Sequence, residues 1–420
     1  MSVLGLFALF AVLLLFRQSV ILILLATTAY VHLVWGEGQI VYLIEDIWTS
    51  MDNSVLLAIP MFIIAGALMS RGSIAERLIE IVRALTEWLP GGLGFATILS
   101  CALFAAISGS SPATLIAVGA VMYPALLKAG YTNRFALGAV TSAGTLGIII
   151  PPSIPLIIYG IVTETSIVDL FLAGIMPGLL LTLVLGVYSI WNNRKISRTP
   201  FKMARLLTAL RNGLWSMALP VILLGGIYSG HFSPTEAAAV AVGYALLVEV
   251  FIHRKLGARD FFDVGLQTAQ MLGTLFPIVA VALSIKTLLA IEGIPQDFAT
   301  WLQGAVHSKI AFLLAVNIAL LVIGCLIDVV SAILLLAPIL FVAAQSFGIH
   351  PVHFGIIMVI NLEIGLLTPP VGLNLLVAMT AFRQRFREVC LSVVPFIAIM
   401  IAVLMLVTFA PFLSLFFLDS

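Results

Sequence analysis

The chain has 420 residues, of which 62% are hydrophobic and only 9% are charged, and its formal net charge is +1. Soluble proteins carry roughly a quarter of their residues as charged side chains, so this composition excludes a soluble domain and predicts an all-α polytopic membrane protein. The small net charge argues against nucleic acid as a partner. Cys101, Cys325 and Cys390 lie in apolar stretches without metal-ligand spacing, and they predict neither a disulfide nor a metal site.

The N-terminal 53 residues predict scaffold helices in the lipid bilayer. Two apolar segments, residues 3–16 and 19–35, are separated by Arg17 and Gln18. The first segment lacks a basic lead-in and a cleavage site followed by a polar domain, so it predicts a membrane helix rather than a signal peptide. A Gly-Glu-Gly sequence at 36–38 closes the second segment, and residues 39–53 have the mixed character of an interfacial helix.

A membrane span over residues 54–70 follows, and then an amphipathic stretch over 71–88 that we expect at the membrane surface. Two short apolar arms within residues 91–127 flank a polar tip at 108–112. Each arm is short for a full span at about 1.5 Å rise per residue, so they predict a re-entrant helical hairpin. A helix over 135–163, broken at its centre, comes next.

The middle of the chain predicts three more spans, over residues 168–191, 214–228 and 235–252, with Glu236 in the first turn of the last one. The loop over 192–211 contains six basic residues and no acid. Basic loops of this kind face the cytoplasm. Its basic residues are Arg194, Lys195, Arg198, Lys202, Arg205 and Arg211.

The second half follows the plan of the first. A span over 265–290 precedes an amphipathic connector over 294–302, a hairpin over about 310–345, a broken helix over 354–382 and a last helix over 391–417. The predicted units are therefore 1–53 (N-terminal scaffold), 54–165 (first repeat), 166–263 (central scaffold), 264–383 (second repeat) and 384–420 (C-terminal helix).

One motif marks both breaks. In each half a glycine precedes a Pro-Pro pair by 21 positions, from Gly130 to Pro151 and from Gly348 to Pro369. Glycine and proline are costly in a lipid-facing helix, because the freed backbone groups have no water to bond. Broken apolar segments at matching positions of two halves point to a transport site.

The flanking charges give the two halves opposite orientations. The first broken helix ends at Glu164 without a cation, whereas the second ends with Arg383, Arg385 and Arg387. The positive-inside rule then predicts that the first hairpin enters the membrane from the cytoplasmic side and the second from the outside. The sequence therefore predicts two inverted repeats, an arrangement typical of alternating-access transporters.

Six blocks, in order along the chain, carry a resemblance to a known family. They are IPMF at 59–62, RGSIAERL at 71–78, LPGGL at 89–93, SGSSPAT at 108–114, IPPSIP at 150–155 and TPPVGLN at 368–374. Together they resemble the large membrane subunit of tripartite ATP-independent periplasmic (TRAP) transporters, of the DctM type, over nearly the whole chain.

The resemblance implies an elevator-type transporter of the bacterial inner membrane, and no enzymatic activity. It also implies two protein partners, a small TRAP membrane subunit and a periplasmic substrate-binding protein. The expected cargo is a small organic acid, such as a C4-dicarboxylate, and sodium is the coupling ion, with no other cofactor.

Sodium sites in the family lie where a hairpin tip meets a break, so the resemblance implies one such site in each repeat. Carbonyl and hydroxyl oxygens suit a hard monovalent cation. An alternative is that these residues only permit close helix packing. The expected residues are Ser108, Ser110, Thr145, Gly147 and Ile150 in the first repeat, and Gly324, Gly365, Thr368 and Val371 in the second.

The substrate is expected between the two tips, because the N-termini of half-helices carry partial positive charge that suits a carboxylate. A single hydroxyl in a membrane helix more often bonds the carbonyl four residues back, so no one of these residues is a strong prediction. The expected residues are Ser111, Thr114, Ser153, Asp328 and Asn374.

Three charged residues within apolar segments, Asp328, Glu363 and Lys286, need a partner or a task. Pro124 and Pro338, one in each hairpin, are 214 positions apart, and the same offset pairs Thr114 with Asp328. Asp328 holds a cation, relays a proton or caps the second hairpin arm, and we favour the cap. Lys286 snorkels or pairs with an acid, and neither it nor Glu363 is assigned a role.

Three other functions remain open at this stage. A stand-alone sodium- or proton-coupled carboxylate carrier would have the same hairpin plan. An intramembrane hydrolase would use a tip serine, but no His or Lys lies near these serines in the apolar segments. A passive channel is disfavoured by the paired inverted hairpins. The sequence alone does not select one organic acid.

Overall fold

The computed structural model of the chain describes residues 20–34, 40–196 and 200–418, together with seven residues before residue 19. The predicted segment 3–16 lies largely outside the described residues, and the Gly-Glu-Gly turn lies wholly outside them. All regular structure in the described residues is helical. Nine helical stretches among them are long and apolar enough to cross a membrane. The prediction of an all-helical protein with many spans is therefore confirmed for this part of the chain.

The helices of the first half that the structure describes run from the scaffold through one hairpin and one broken helix. They are α1 (Val20–Val34), α2 (Ile40–Met51), α3 (Ala58–Arg71), α4 (Ile74–Thr86), α5 (Gly92–Ser108), α6 (Ser111–Lys128), α7 (Asn133–Gly144), α8 (Leu146–Ile149), α9 (Ile154–Thr163) and α10 (Ile167–Asn192).

The helices of the second half follow the same order, except that no helix among the described residues corresponds to α8. They are α11 (Met203–Tyr228), α12 (Pro234–Leu246, continued by a π-helix over Leu247–Ile252), α13 (Ala258–Ile291), α14 (Ile294–Ala305), α15 (Lys309–Gly324), α16 (Val329–Ser346), α17 (Pro351–Gly365), α18 (Leu373–Ala381), α19 (Phe386–Phe409) and α20 (Phe412–Leu415).

Local sequence explains several helix ends. Gly130 and Gly348 have φ angles of +85° and +68°, a left-handed conformation that glycine adopts without strain, and each ends its hairpin. Ser233 and Glu236 form a capping box at the start of α12, as the acid in its first turn predicts. Thr132 caps α7 by accepting a hydrogen bond from the Phe135 amide at 3.2 Å.

The two hairpins have a common register that differs from the one predicted. Helices α6 and α16 are both 18 residues long, and the start of α16 lies 218 positions after the start of α6. Pro124 lies four positions further along its helix than Pro338, so these prolines do not mark equivalent places. The predicted pairing of Asp328 with Thr114 was therefore wrong, because Asp328 takes the place of Ser110 as the residue before the second arm.

One prediction near the basic loop also differs from the structure. Helix α11 begins at Met203, so Arg205 and Arg211 lie on a helix rather than in the loop. Helix α4 packs its apolar side chains against α5 and α11, and its location at the membrane surface stays a prediction. Arg205 of α11 forms ion pairs with Glu80 at 2.7 Å and with Glu87 at 2.6 Å, and these tertiary contacts explain the longer helix.

A buried carboxylate fixes the start of α4. The side chain of Glu249, in the π-helical stretch after α12, is fully buried and accepts hydrogen bonds from the Ser73 and Ile74 amides at 2.6 and 2.7 Å. A Cβ atom on Gly72 would lie 2.3 Å from the Glu249 carboxyl carbon, so this position needs glycine. Glu249 therefore caps α4 from another helix and fixes its start relative to α12.

The two halves pack crosswise. Helix α9, after the first break, packs against α16 of the second hairpin, and α18, after the second break, packs against α6 of the first. The Tyr159 hydroxyl of α9 donates to the Pro351 carbonyl at 2.9 Å. This exchange brings the two hairpin tips together, while α3 packs against both α12 and α13 beside them.

The orientation of the two repeats remains a prediction that a reporter can test. We expect an accessibility reporter at Glu164 to be labelled from the periplasm and one at Arg385 from the cytoplasm, because three arginines follow the second broken helix and none follows the first. Pro200, in the basic loop, is the cytoplasmic control. If Glu164 and Arg385 are labelled from the same side, the repeats are not inverted.

Candidate functional site

A cavity of about 400 Å³ lies between the two hairpin tips and the scaffold. Four helices begin at it, since its lining includes Ser111 of α6, Ile154 of α9, Val329 of α16 and Leu373 of α18. The first turn of a helix has backbone N–H groups without partners in the helix and carries partial positive charge. The cavity is therefore suited to a small anion.

The opposite wall of the cavity is formed by side chains that the sequence did not indicate. Met271, Thr274, Leu275 and Ile278 of α13 line it, together with Ile63 of α3. These residues belong to no motif, and their apolar type is common to every span of the chain. The position of the wall depends on how α13 packs against the hairpins, which no sequence spacing indicates.

Asp328 is the only charged side chain among the described residues that line this cavity. Its carboxylate accepts hydrogen bonds from the Ser331 amide at 3.0 Å and from the Ser331 hydroxyl at 2.6 Å. The N-cap interpretation of Asp328 is thereby confirmed.

The first tip lies directly against the first break. The Ser108 hydroxyl is 2.7 Å from the Thr114 hydroxyl, which in turn donates to the Ser110 carbonyl at 2.9 Å. A Cβ atom on Gly147 would lie 2.6 Å from both the Ser110 carbonyl oxygen and the Thr114 hydroxyl oxygen. The tertiary structure therefore places Ser108, Ser110 and Gly147 together, with Thr114 among them.

Two other residues predicted for the first sodium site make different contacts. The Thr145 hydroxyl donates to the Ser142 carbonyl at 2.5 Å, within its own helical segment. The Ile150 side chain packs against Gly178 of α10, where a Cβ atom would lie 2.6 Å from it. Any role of these two residues at the tip would therefore use backbone atoms.

The second tip contacts the second break even more closely. A Cβ atom on Gly365 would lie 2.5 Å from the Gly324 carbonyl carbon, so backbone packs on backbone there. The amides of Val371 and Gly372 both donate to the Cys325 carbonyl at 3.3 Å. The Thr368 hydroxyl lies in the same break and donates to the Ile364 carbonyl at 2.9 Å.

A buried polar bridge joins the first tip to the second break. The Asn374 side-chain amide donates to the Ser111 hydroxyl and, at 3.3 Å, to the Glu363 carboxylate. Asn374 and Glu363 are fully buried, whereas Ser111 also lines the cavity. The sequence alone assigns Glu363 no role, because its connection to the first tip depends on the crosswise packing.

Of the five residues predicted for the substrate, only Ser111 and Asp328 line the cavity. Thr114 and Asn374 are fully buried behind it, and Ser153 caps α9 by accepting a hydrogen bond from the Leu156 amide at 3.3 Å. The tip serines contact Thr114 and Asn374, which are not the general bases that a serine hydrolase uses.

Lys286 of α13 forms an ion pair with Glu164 outside the cavity. Its ammonium group donates to the Glu164 carboxylate at 2.8 Å, in the loop after α9. This hydrogen bond, with the charge of Lys286, lowers the pKa of the Glu164 carboxyl. One of the two roles considered for Lys286, pairing with an acid, is thereby confirmed.

Paired hairpins, paired broken helices and a cavity at their meeting point define a multi-span membrane transporter. The family model for the tripartite ATP-independent periplasmic transporter, DctM component, matches residues 7–413. The chain therefore belongs to this family, as the six sequence blocks indicated.

Named relatives are similar along most of the chain. The C4-dicarboxylate TRAP transporter large permease protein DctM of Pseudomonas aeruginosa is 42% identical over 91% of this chain and 90% of its own length. The isethionate TRAP transporter permease protein DctMQ of Oleidesulfovibrio alaskensis is 40% identical over 91% of this chain, which spans 61% of that protein. These relatives are permeases rather than enzymes.

A solved structure has the same fold. The YdaH transporter of Alcanivorax borkumensis, described as having an unusual topology, aligns with a TM-score of 0.61 over 87% of this chain and 86% of its own. The sequences are only 14% identical, so the likeness concerns the fold alone.

The contact between Gly365 and Gly324 can be tested by adding one carbon. We expect Gly365→Ala to lower substrate uptake by the assembled transporter about tenfold or more, because overpacking of a tight site typically costs about 1–3 kcal/mol. Gly273→Ala in α13 is the control, since no atom of the described residues lies within 4 Å of a Cβ atom built there. Equal uptake by both variants would show that the close approach is not needed for transport.

Proposed function

We propose that the chain is the large permease subunit of a sodium-coupled TRAP transporter that imports a small organic acid across the bacterial inner membrane. A periplasmic binding protein delivers the substrate, and a small membrane subunit completes the permease. Family membership supports both partners. The observation that carries the proposal is the convergence of four helix N-termini on one cavity between the hairpin tips.

The proposed substrate is a C4-dicarboxylate or a related small acid. Relatives that are similar over about nine-tenths of this chain are named for C4-dicarboxylates and for isethionate, and both compounds carry an acidic group. The N-termini of α6, α9 and α18 would stabilise that negative charge, while the side chains of α13 would contact the carbon skeleton. The Ser111 hydroxyl is the proposed contact to the substrate. The buried residues Thr114, Ser153 and Asn374 would support the cavity wall without touching the substrate.

Asp328 sets a limit on where an acidic group would bind. Its carboxylate lines the cavity and caps α16, so a second carboxylate close to it would be repelled. We therefore place every acidic group of the substrate toward the N-termini of α6, α9 and α18. Asp328 would then face the carbon skeleton of the substrate.

Each proposed sodium site lies where a tip meets a break. In the first repeat the candidate oxygens belong to Ser108, Ser110 and Thr114, with Gly147 allowing the approach. In the second repeat they belong to the backbone around Gly324 and Gly365 and to the Thr368 hydroxyl. Hydroxyl and carbonyl oxygens at a tip that packs against a break are the chemistry that a hard monovalent cation needs.

The proposed mechanism is elevator movement of the two inverted repeats against the scaffold. The crosswise packing of α9 on α16 and of α18 on α6 would make the hairpins and breaks one moving unit. The scaffold would include α3, α12 and α13, which form one side of the cavity and its support. Helices α4 and α14 are the connectors between the two parts.

Reconstitution tests the function. We expect proteoliposomes containing this chain, its small subunit and its binding protein to take up labelled succinate or isethionate when a sodium gradient is applied, because delivery and coupling require all three proteins. Vesicles without the binding protein are the matched control. Uptake by the purified chain alone would support a stand-alone carrier, and uptake driven equally by a proton gradient would exclude sodium coupling.

A matched pair of threonines tests the second sodium site. We expect Thr368→Ala to raise the sodium concentration for half-maximal uptake about fivefold or more, because loss of an ion ligand also removes its coupling to the substrate. Thr380→Ala is the control, since the Thr380 hydroxyl makes the same kind of bond, to the Leu376 carbonyl at 2.9 Å, away from the break. An unchanged sodium dependence in both variants would remove Thr368 from the site.

A further inference from the structure

A second cavity lies apart from the central one, at the end of the molecule that carries the basic loop. Its volume is about 590 Å³, and it is bounded by α4, by both arms of the first hairpin and by α11. Three basic side chains line it, Arg83, Lys128 and Arg205, with Glu87 as the one acid among its described lining residues. None of the residues proposed for sodium or substrate is among them.

Two of the basic side chains are held in place by acids. Arg83 pairs with Glu87 at 2.8 Å, and Arg205 bridges Glu80 and Glu87 at 2.7 and 2.6 Å. These bonds use three of the five N–H donors of the Arg205 guanidinium group. The carboxylates thus orient the guanidinium groups before a ligand arrives, and Lys128 adds a third positive charge.

One side of the cavity wall is apolar. Val121, Pro124 and Ala125 of α6 line it, together with Leu93 of α5. Trp88, in the segment between α4 and α5, is 46% exposed, and its ring lies 6.3 Å from the ring of Phe201. Exposed aromatic side chains next to basic ones are typical of the membrane–water interface.

The geometry points to a binding site for the phosphate group of an anionic phospholipid. Oriented arginines and a lysine supply the charge-assisted donors that a phosphate needs, and basic pockets between membrane helices recognise such headgroups. The apolar wall along α6 would contact the upper part of an acyl chain, which a free phosphate ion lacks. A lipid bound here would join α4, which Glu249 fixes to the scaffold, to the first hairpin.

Native mass spectrometry of the purified full-length chain tests the site, with phosphatidylglycerol and phosphatidylcholine compared at equal concentration. We expect the wild-type chain to retain phosphatidylglycerol in preference to phosphatidylcholine, and Lys128→Glu to reduce that preference at least about fivefold. Arg134→Glu is the matched control, because Arg134 is an exposed cation of the next helix and is not among the described residues that line the cavity. It should keep the wild-type preference.

Three results would overturn the proposal. The wild-type chain could retain both lipids equally, which would exclude recognition of the headgroup charge. The two variants could lose phosphatidylglycerol to the same extent, which would indicate a diffuse surface charge rather than this cavity. Finally, excess inorganic phosphate could displace phosphatidylglycerol completely from the wild-type chain, which would assign the site to a free anion.

Discussion

The fold depends on how the backbone of each break finds hydrogen-bond partners away from water. Amides and carbonyls released by an interrupted membrane helix are costly unless protein supplies partners. The hairpin tips supply them here, since the Cys325 carbonyl accepts from Val371 and Gly372, and the Gly109 carbonyl accepts from Ile154. Such contacts require the two backbones to approach closely, which is why glycine stands at Gly147 and Gly365.

The same constraint creates the cavity. Each break ends one helix and starts another, and each hairpin tip does the same, so four helix N-termini arise where tips and breaks meet. The helix that follows each break packs against the hairpin of the other half. The Asn374 amide, in the helix after the second break, therefore contacts both Ser111 and Glu363. Displacement of the first tip would therefore disturb the second break through these buried hydrogen bonds as well as through apolar packing.

Fixed connections at the basic end of the molecule complement this central unit. Glu249 caps α4 from the scaffold, and Arg205 holds the other end of α4 through Glu80 and Glu87. If α4 links a moving unit to the scaffold, as proposed, the movement would pass through the short segment that follows this helix. That segment, from Leu89 to Gly92, borders the second cavity, so a ligand bound there would lie beside it.

The sequence by itself determined the features that depend on neighbours along the chain. Hydropathy and the Gly-to-Pro spacing predicted the spans, the hairpins and the two breaks, and six blocks identified the family. Only the tertiary structure decided which helices meet: the wall from α13, the cap from Glu249 and the bridge from Ser111 to Glu363. Apolar residues pack equally well against many partners and one buried acid resembles another in sequence, so these long-range choices follow from the packing of the whole chain.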